Sequence, residues 1–223
     1  MSSVEEKGVR GTIDFNLYLI SDRKNTTGRD LMAVLEEALA GGVKAVQLRE
    51  RDLSAKDLYS LANSIRKLTA CYGARLIIND RIDIAMAVDA DGIHLGLGGL
   101  PVTVARRLVG EGKLIGASCH NRDEALTAEE AGADFITFGP VFHTPSKAAY
   151  GDPVGINELA AVSRLLQIPV FALGGIKREN YSLAITAGAH GISLISAIME
   201  AAEPRDEARK LLEFLYTNEQ KKD

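Results

Sequence analysis

Residues 187–195 read Ala187-Gly188-Ala189-His190-Gly191-Ile192-Ser193-Leu194-Ile195, a turn of small residues followed by an apolar run. Similar turns, Ala40-Gly41-Gly42-Val43 and Ala131-Gly132-Ala133-Asp134, precede two other apolar runs. A glycine in a left-handed conformation just past a helix is what a tight helix-to-strand connection requires. Because the turn recurs, the sequence predicts a repeated strand–helix unit.

Eight apolar runs are candidate strands, with helical patterns between them. The runs are nearly all apolar rather than alternating, which is typical of parallel strands covered on both faces. Ser54, with Asp57 three residues later, predicts a capping box at the start of the second helix. The predicted strands are Asn16–Ser21, Val43–Leu48, Arg75–Ile78, Gly92–Leu95, Leu114–Ser118, Phe135–Phe138, Pro169–Leu173 and Gly191–Ile195.

The even spacing of these units favours a single-domain (β/α)₈ TIM barrel. The structural alternative is an open doubly wound sheet, but no GxGxxG motif follows the first strand. In a chain of 223 residues we expect one barrel over residues 13–217, with flexible termini at 1–12 and 218–223. The strand ends of such a barrel meet at one mouth, where the chemistry is expected.

Composition excludes several classes of function. The formal net charge of -4 gives no general attraction to nucleic acid or anionic membranes. Cys71 and Cys119 have neither disulfide-framework nor zinc-site spacing. Without a signal-peptide pattern or a long apolar run, the expected location is the cytoplasm. Whether the chain forms a homo-oligomer is left open by the sequence.

The seventh and eighth strand ends predict a phosphate site. Gly174 and Gly175 let a ligand approach the backbone closely, and a short helix opening at Ser196, after Ile195, would direct N–H groups at an anion. The alternative is that the glycines only make a tight turn. The long polar loop after strand six offers two hydroxyls and an ammonium for phosphate oxygens, unless it is simply a solvated loop: Thr144, Ser146 and Lys147.

Strand two ends with Gln47, Arg49 and Arg51 on one alternating face. Two arginines that point into one mouth repel each other unless an anion lies between them. A surface ion pair between Arg49 and Glu50 is the structural alternative.

Strands three and five end in polar residues with two open interpretations each. Asp80 is suited to ligate a hard cation such as Mg²⁺ beside the amide of Asn79, or it caps a helix that starts near Ile82. Ser118 offers a hydroxyl, and His120 is either an acid–base residue or a buried structural histidine.

Taken together, these segments resemble the thiamine phosphate synthases and their relatives, the thiazole tautomerases. The resemblance covers nearly the whole chain from Tyr18, and its matches fall in order at successive strand ends. The matching segments are Gln47-Leu48-Arg49-Glu50, Asn79-Asp80-Arg81, Asp91-Gly92-Ile93-His94-Leu95-Gly96, Gly139-Pro140-Val141-Phe142, Thr144-Pro145-Ser146-Lys147 and Gly174-Gly175-Ile176.

The resemblance implies a transferase that joins hydroxymethylpyrimidine diphosphate to thiazole phosphate and releases pyrophosphate. In the synthases Mg²⁺ and the pyrimidine diphosphate lie at the mouth. The implied roles are diphosphate binding by Arg49, Arg51, Asn79 and Lys147; metal ligation by Asp80; pyrimidine contacts by Gln47 and Ser118; and thiazole phosphate binding by Thr144, Ser146, Gly175, Ile195 and Ser196.

Two departures from the synthase pattern keep alternatives open. Synthases usually have a second acidic metal ligand where this chain has Gly99, and a lysine where it has Arg51. A thiazole tautomerase needs no metal and uses a histidine at the place of His120. Other phosphate-binding barrel enzymes and a non-catalytic binding barrel are further alternatives. The synthase is preferred because Asp80, Asn79, Arg49 and Lys147 are all retained.

Overall fold

The computed structural model describes residues 12–144 and 152–219 and shows eight parallel strands in a closed barrel. Strands and helices alternate along the chain, so the predicted (β/α)₈ architecture is confirmed. The strands are β1 (Leu17–Ile20), β2 (Ala45–Leu48), β3 (Arg75–Asn79), β4 (Gly92–Leu95), β5 (Leu114–Cys119), β6 (Phe135–Phe138), β7 (Val170–Leu173) and β8 (Gly191–Leu194). The helices are α1 (Leu31–Ala40), α2 (Ala55–Cys71), α3 (Ile82–Ala87), α4 (Val102–Val109), α5 (Arg122–Glu130), α6 (Gly155–Leu165), α7 (Tyr181–Thr186), α8 (Ser196–Met199) and α9 (Pro204–Glu219).

The ring closes where β1 pairs with both β2 and β8. Tyr18 lies opposite Ala45 on one side and Ser193 on the other. The second strand is shorter than predicted because the N–H of Val43 bonds to the carbonyl of Ala38 and closes the end of α1 instead. In the described part of the chain, none of the helices is both long and apolar enough to span a bilayer.

The predicted turns are present. Gly42, Gly132 and Gly188 have φ angles of 106°, 94° and 102°, the left-handed conformation expected after α1, α5 and α7. At the start of α2 the Ser54 hydroxyl accepts the Asp57 N–H, which confirms Ser54 as the helix cap, and the Asp57 carboxylate accepts the Ser54 hydroxyl rather than the backbone N–H of a full capping box.

The apolar core forms two layers. The larger layer packs the outer faces of the strands against the helices, and a smaller cluster fills the barrel axis. The axial cluster consists of Phe15, Tyr18, Ala45, Ile77, Leu114, Phe135 and Phe171. Because these side chains block the barrel axis, a ligand is confined to the mouth at the carboxyl ends of the strands.

The predicted domain limits of 13–217 enclose all eight strands, and α9 continues to Glu219. The termini predicted to be flexible lie almost entirely in residues 1–11 and 220–223, which are outside the described residues. The limits therefore stay a prediction.

Candidate active site at the carboxyl ends of the strands

The end of β2 presents a half-buried arginine to the mouth. The backbone N–H of Arg49 donates to the Ser21 hydroxyl at 2.9 Å, and that hydroxyl donates to Glu50 at 2.7 Å. The Glu50 carboxylate also accepts the Arg23 N–H, and the alternative of a surface ion pair between Arg49 and Glu50 is not formed. Within residues 12–144 and 152–219, no carboxylate lies within ion-pair distance of the Arg49 guanidinium. Burial, and then the charge of Arg51, lower the pKa of Arg49.

Arg51 lies on the surface of the same mouth and faces an acid. Its guanidinium is 3.5 Å from Oδ2 of Asp80, at the end of β3. The arginine side chain is 59% exposed, so the pair is weak in water and open to competition by a stronger anion. The structure therefore brings together Arg51, Asp80 and the end of β3, as the strand order predicted.

Asp80 is held toward the loop after β4. Its Oδ1 accepts the Gly96 N–H and its Oδ2 accepts the Asn79 amide, both at 2.8 Å. Asp80 itself has φ 57°, and α3 begins at Ile82 after Arg81 without a side-chain cap. The interpretation of Asp80 as a helix cap is therefore wrong, since its carboxylate bonds across the mouth instead.

Gly99 lies against this carboxylate. A Cβ at Gly99 would be 2.7 Å from Oδ1 of Asp80, and the Gly99 N–H closes a turn on the carbonyl of Gly96. Neighbouring Leu97 is 70% exposed. Within the described residues, no three His, Cys, Asp or Glu side chains are grouped to hold a metal. Asp80 is thus the predicted metal ligand, and the backbone of Gly99 occupies the position where a second acidic ligand could lie.

A polar chain crosses the barrel interior below the mouth. Gln47 donates to the Tyr18 hydroxyl at 2.9 Å, and that hydroxyl lies 3.4 Å from Nδ1 of His94. The other ring nitrogen, Nε2, is 3.0 Å from the Ser118 hydroxyl and 3.4 Å from that of Thr137. Gln47 and Ser118, both predicted site residues, are therefore linked through Tyr18 and His94, to which no role was assigned from the sequence. Tyr18 and His94 could have been noticed in the sequence, because each is a polar residue within a short apolar strand.

His120 has a partner of its own at the start of α5. Its Nδ1 is 3.1 Å from Glu124, and the same carboxylate accepts the His120 backbone N–H. Asn121 caps the helix between them. These contacts give the imidazole a structural role, and an acid–base role for His120 stays a prediction.

The glycines after β7 have a packing reason. Gly174 and Gly175 have φ angles of 91° and 64°, and a Cβ at Gly175 would lie 2.6 Å from the carbonyl oxygens of Phe142 and His143. The Phe142 N–H donates to the carbonyl of Gly174 at 3.0 Å. The loop after β6 is therefore seated on the loop after β7, and both face the mouth.

Only some of the remaining predicted phosphate ligands lie among the described residues. Ser196 is exposed as the first residue of α8, directly after Ile195 and the end of β8. Thr144 is the last described residue of the loop after β6. Ser146 and Lys147 lie outside the described residues, so their predicted roles have no geometry here.

Comparisons with known proteins agree with this architecture. The family model described as thiamine monophosphate synthase matches residues 17–198. A putative thiamine-phosphate synthase of Geobacter sulfurreducens is 61% identical, with 91% of this chain and 95% of the relative covered. A thiamine-phosphate synthase of Clostridium acetobutylicum is 43% identical over 94% of this chain and 99% of its own length.

A solved structure extends the similarity to three dimensions. Thiamine phosphate pyrophosphorylase from Pyrococcus furiosus superposes with a TM-score of 0.83 at 34% identity, covering 91% of this chain and 96% of that one. These relatives confirm the preference for the synthase over the tautomerase and place the enzyme among the transferases. The chain belongs to the thiamine monophosphate synthase family.

Proposed function

We propose that this enzyme joins a pyrimidine diphosphate to a thiazole phosphate through the residues that meet at the barrel mouth. The observation that carries the proposal is Arg49, a half-buried cation at the end of β2 with no acidic partner among residues 12–144 and 152–219. A partly desolvated arginine beside a second arginine needs an anion, and a diphosphate supplies one. We place the enzyme in the cytoplasm.

The proposed reaction breaks the bond between the pyrimidine methylene carbon and the diphosphate oxygen. The electron pair leaves with pyrophosphate, and the thiazole nitrogen then donates its lone pair to the methylene cation. Such a displacement needs positive charge around the leaving group and few water molecules near the cation. Arg49 and Arg51 supply that charge from β2, with the Asn79 amide beside them.

Each substrate contacts a different part of the mouth. The pyrimidine lies over the interior polar chain, against Gln47 and Ser118. The thiazole phosphate lies at the far side, near the glycine turn after β7. The proposed phosphate contacts there are Thr144, Ser146, Gly175, Ile195 and Ser196, with Lys147 reaching the diphosphate.

The donor set fits Mg²⁺ only if the diphosphate completes it. Mg²⁺ is commonly bound by one or two carboxylates together with substrate phosphates and water. Asp80 is partly exposed and turned toward the mouth, so it can supply that one carboxylate. When bound there, the metal would neutralise charge on the departing diphosphate. The chain's own residues supply the rest of the positive charge.

An assay of pyrophosphate release tests the proposal. We expect release with both substrates and Mg²⁺, and a loss of roughly 10- to 100-fold in kcat/KM for the pyrimidine diphosphate in Arg49→Ala, the usual size for a lost charged hydrogen bond. The control is Arg209→Ala, whose guanidinium pairs with Asp206 on the exposed face of α9. An unchanged kcat/KM in Arg49→Ala would contradict the assignment, and turnover of a thiazole tautomer without pyrophosphate release would select the tautomerase.

A further inference from the structure

We infer that His94 is a positioning residue, held in the tautomer with its hydrogen on Nε2, so that the Ser118 hydroxyl hydrogen is left to donate to a ring acceptor of the bound substrate. The tautomer rests on contacts inside the free enzyme. Its consequence for substrate binding rests on the proposed placement of the pyrimidine over Ser118.

Tyr18 determines which groups donate and which accept along this series of hydrogen bonds. Its ring is fully buried, and burial raises its pKa far above the usual value, so the phenol keeps its hydrogen. The oxygen accepts from the Gln47 amide at 2.9 Å. The phenolic hydrogen is then directed to Nδ1 of His94, 3.4 Å away. In this arrangement Nδ1 acts as an acceptor.

The same order of donors and acceptors continues through the His94 ring to Ser118. The ring is buried and both of its nitrogens face hydroxyl groups, so no opposite charge compensates an imidazolium there, and the ring is neutral with one hydrogen. With Nδ1 accepting, the hydrogen is on Nε2 and donates to Ser118 at 3.0 Å, with Thr137 more distant at 3.4 Å. A serine hydroxyl has one hydrogen, and in this arrangement the imidazole does not accept it.

Packing prevents the imidazole from turning away. The ring centroids of Tyr18 and Phe135 lie 5.7 and 5.8 Å from that of His94. Gly116, on the next strand, leaves the room that the ring needs, since a Cβ there would be 2.5 Å from Nδ1. The ring orientation is thus fixed by steric contact, and only the position of its hydrogen is free to vary.

Ser118 is the end of this chain that meets the mouth. It is partly exposed near the end of β5, whereas Gln47, Tyr18 and His94 are buried. A hydroxyl with a fixed donor hydrogen selects a ligand with a lone pair at that point, as a pyrimidine nitrogen has. A ligand that offers a hydrogen there would leave two donors facing each other.

Nitrogen-15 NMR of the free enzyme tests the tautomer directly. In protein labelled at its histidine rings, the His94 signals are assigned by their loss in His94→Gln. We expect a protonated Nε2 and an unprotonated Nδ1 at pH 7. The reverse chain, in which Ser118 donates to Nε2 and Nδ1 donates to Tyr18, is also self-consistent, and a protonated Nδ1 would overturn the inference.

Tyr18→Phe tests the cause. It removes the hydroxyl that holds Nδ1, so we expect a mixture of tautomers. The matched control is Tyr216→Phe, which removes a hydroxyl from an exposed tyrosine and should leave the His94 signals unchanged. A pure Nε2-protonated ring in Tyr18→Phe would show that Tyr18 does not set the tautomer, against the inference.

A double-mutant cycle tests the effect on substrate. Ser118→Ala should raise the KM for the pyrimidine diphosphate about threefold to tenfold, as expected for one neutral hydrogen bond. Tyr18→Phe should raise that KM in the wild-type background and add nothing in the Ser118→Ala background. Additive effects would mean that Tyr18 and His94 do not act through Ser118. If the enzyme released no pyrophosphate at all, the proposed function would fail while the NMR result still stood.

Discussion

Arg49 and Arg51 lie two residues apart just after β2 but differ in their electrostatic surroundings. Arg49 is half-buried, and desolvation lowers its pKa, whereas Arg51 is exposed and faces Asp80 at 3.5 Å. The first arginine therefore gains more from a bound anion, because little water screens the contact. The second can exchange its weak internal pair for a ligand.

The buried His94 makes stability depend on pH. Its pKa is about 4 in the folded protein and about 6.5 in an unfolded chain, so the unfolded state binds more protons between these values. Stability is therefore lost as the pH falls from about 6.5 toward 4, by up to about 1.4 kcal/mol per pH unit from this group. Urea unfolding at several pH values measures the slope.

The same measurement on His94→Gln isolates the histidine. Burial raises the pKa of Glu50, and a carboxyl that protonates more easily when folded adds stability as the pH falls, the opposite sign. Glu50 is present in both proteins, so the difference between their slopes belongs to His94. Parallel slopes in the two proteins would contradict a neutral, buried His94.

Two aspartates, Asp134 buried and Asp91 partly buried, connect strands to the helices that precede them. Asp134, just before β6, accepts the Ile115 N–H of β5 at 2.7 Å and pairs with Arg106 of α4 at 2.6 Å. Asp91, just before β4, does the same with Leu76 of β3 and Arg66 of α2. Each carboxylate thus fixes one helix and two strands on the side of the barrel opposite the mouth.

Asp134→Ala should destabilise the barrel strongly. It leaves the Ile115 N–H without its acceptor and removes the carboxylate from Arg106, whose guanidinium keeps its backbone carbonyl partners; breaking a buried pair in this way costs about 3–5 kcal/mol. Urea denaturation gives the change in the free energy of unfolding. The matched control is Asp206→Ala on α9, whose pair with Arg209 is exposed and should cost less than about 1 kcal/mol. Equal losses in the two variants would rule out a structural role for the Asp134 pair.

The positions of the strands were easier to predict from the sequence than the side-chain contacts between them. The apolar runs located all eight strands, because local burial on both faces leaves a local pattern. The chain from Tyr18 to His94 could not be predicted, since it joins residues 76 positions apart in a register known only once the ring closes. The role of Asp80 was undecided for the same reason: a cap and a contact with Gly96 look alike along the chain, and only the placement of β4 separates them.

We expect metal and anion binding to be coupled across the mouth as a whole. The sequence offers Asp80 but has Gly99 where a second acid is usual in the synthases, and the structure shows Gly99 in contact with Asp80. With one carboxylate, and that one facing Arg51, the free enzyme should bind Mg²⁺ weakly. Pyrophosphate should strengthen the binding by adding oxygen ligands and by drawing Arg51 away.

Calorimetric titration of Mg²⁺, with and without pyrophosphate, measures this coupling. We expect at least tenfold tighter Mg²⁺ binding when pyrophosphate is present. In Gly99→Asp the backbone must shift to make room for the new Cβ. The added carboxylate should then tighten Mg²⁺ binding by the enzyme without pyrophosphate. The control is Gly98→Asp, which adds the same charge where a Cβ would meet nothing within 4 Å. Tight Mg²⁺ binding by the unmodified free enzyme would contradict the single-carboxylate site.

The pairing of β1 with β8 also has a consequence for synthesis of the protein. Leu17–Ile20 is translated before the other seven strands, yet one of its two neighbouring strands is the last of the eight to be translated. Until then the nascent half-barrel has two exposed strand edges with unpaired backbone groups, the kind of surface that associates with other chains. The growing polypeptide is thus open to such association until β8 has been made.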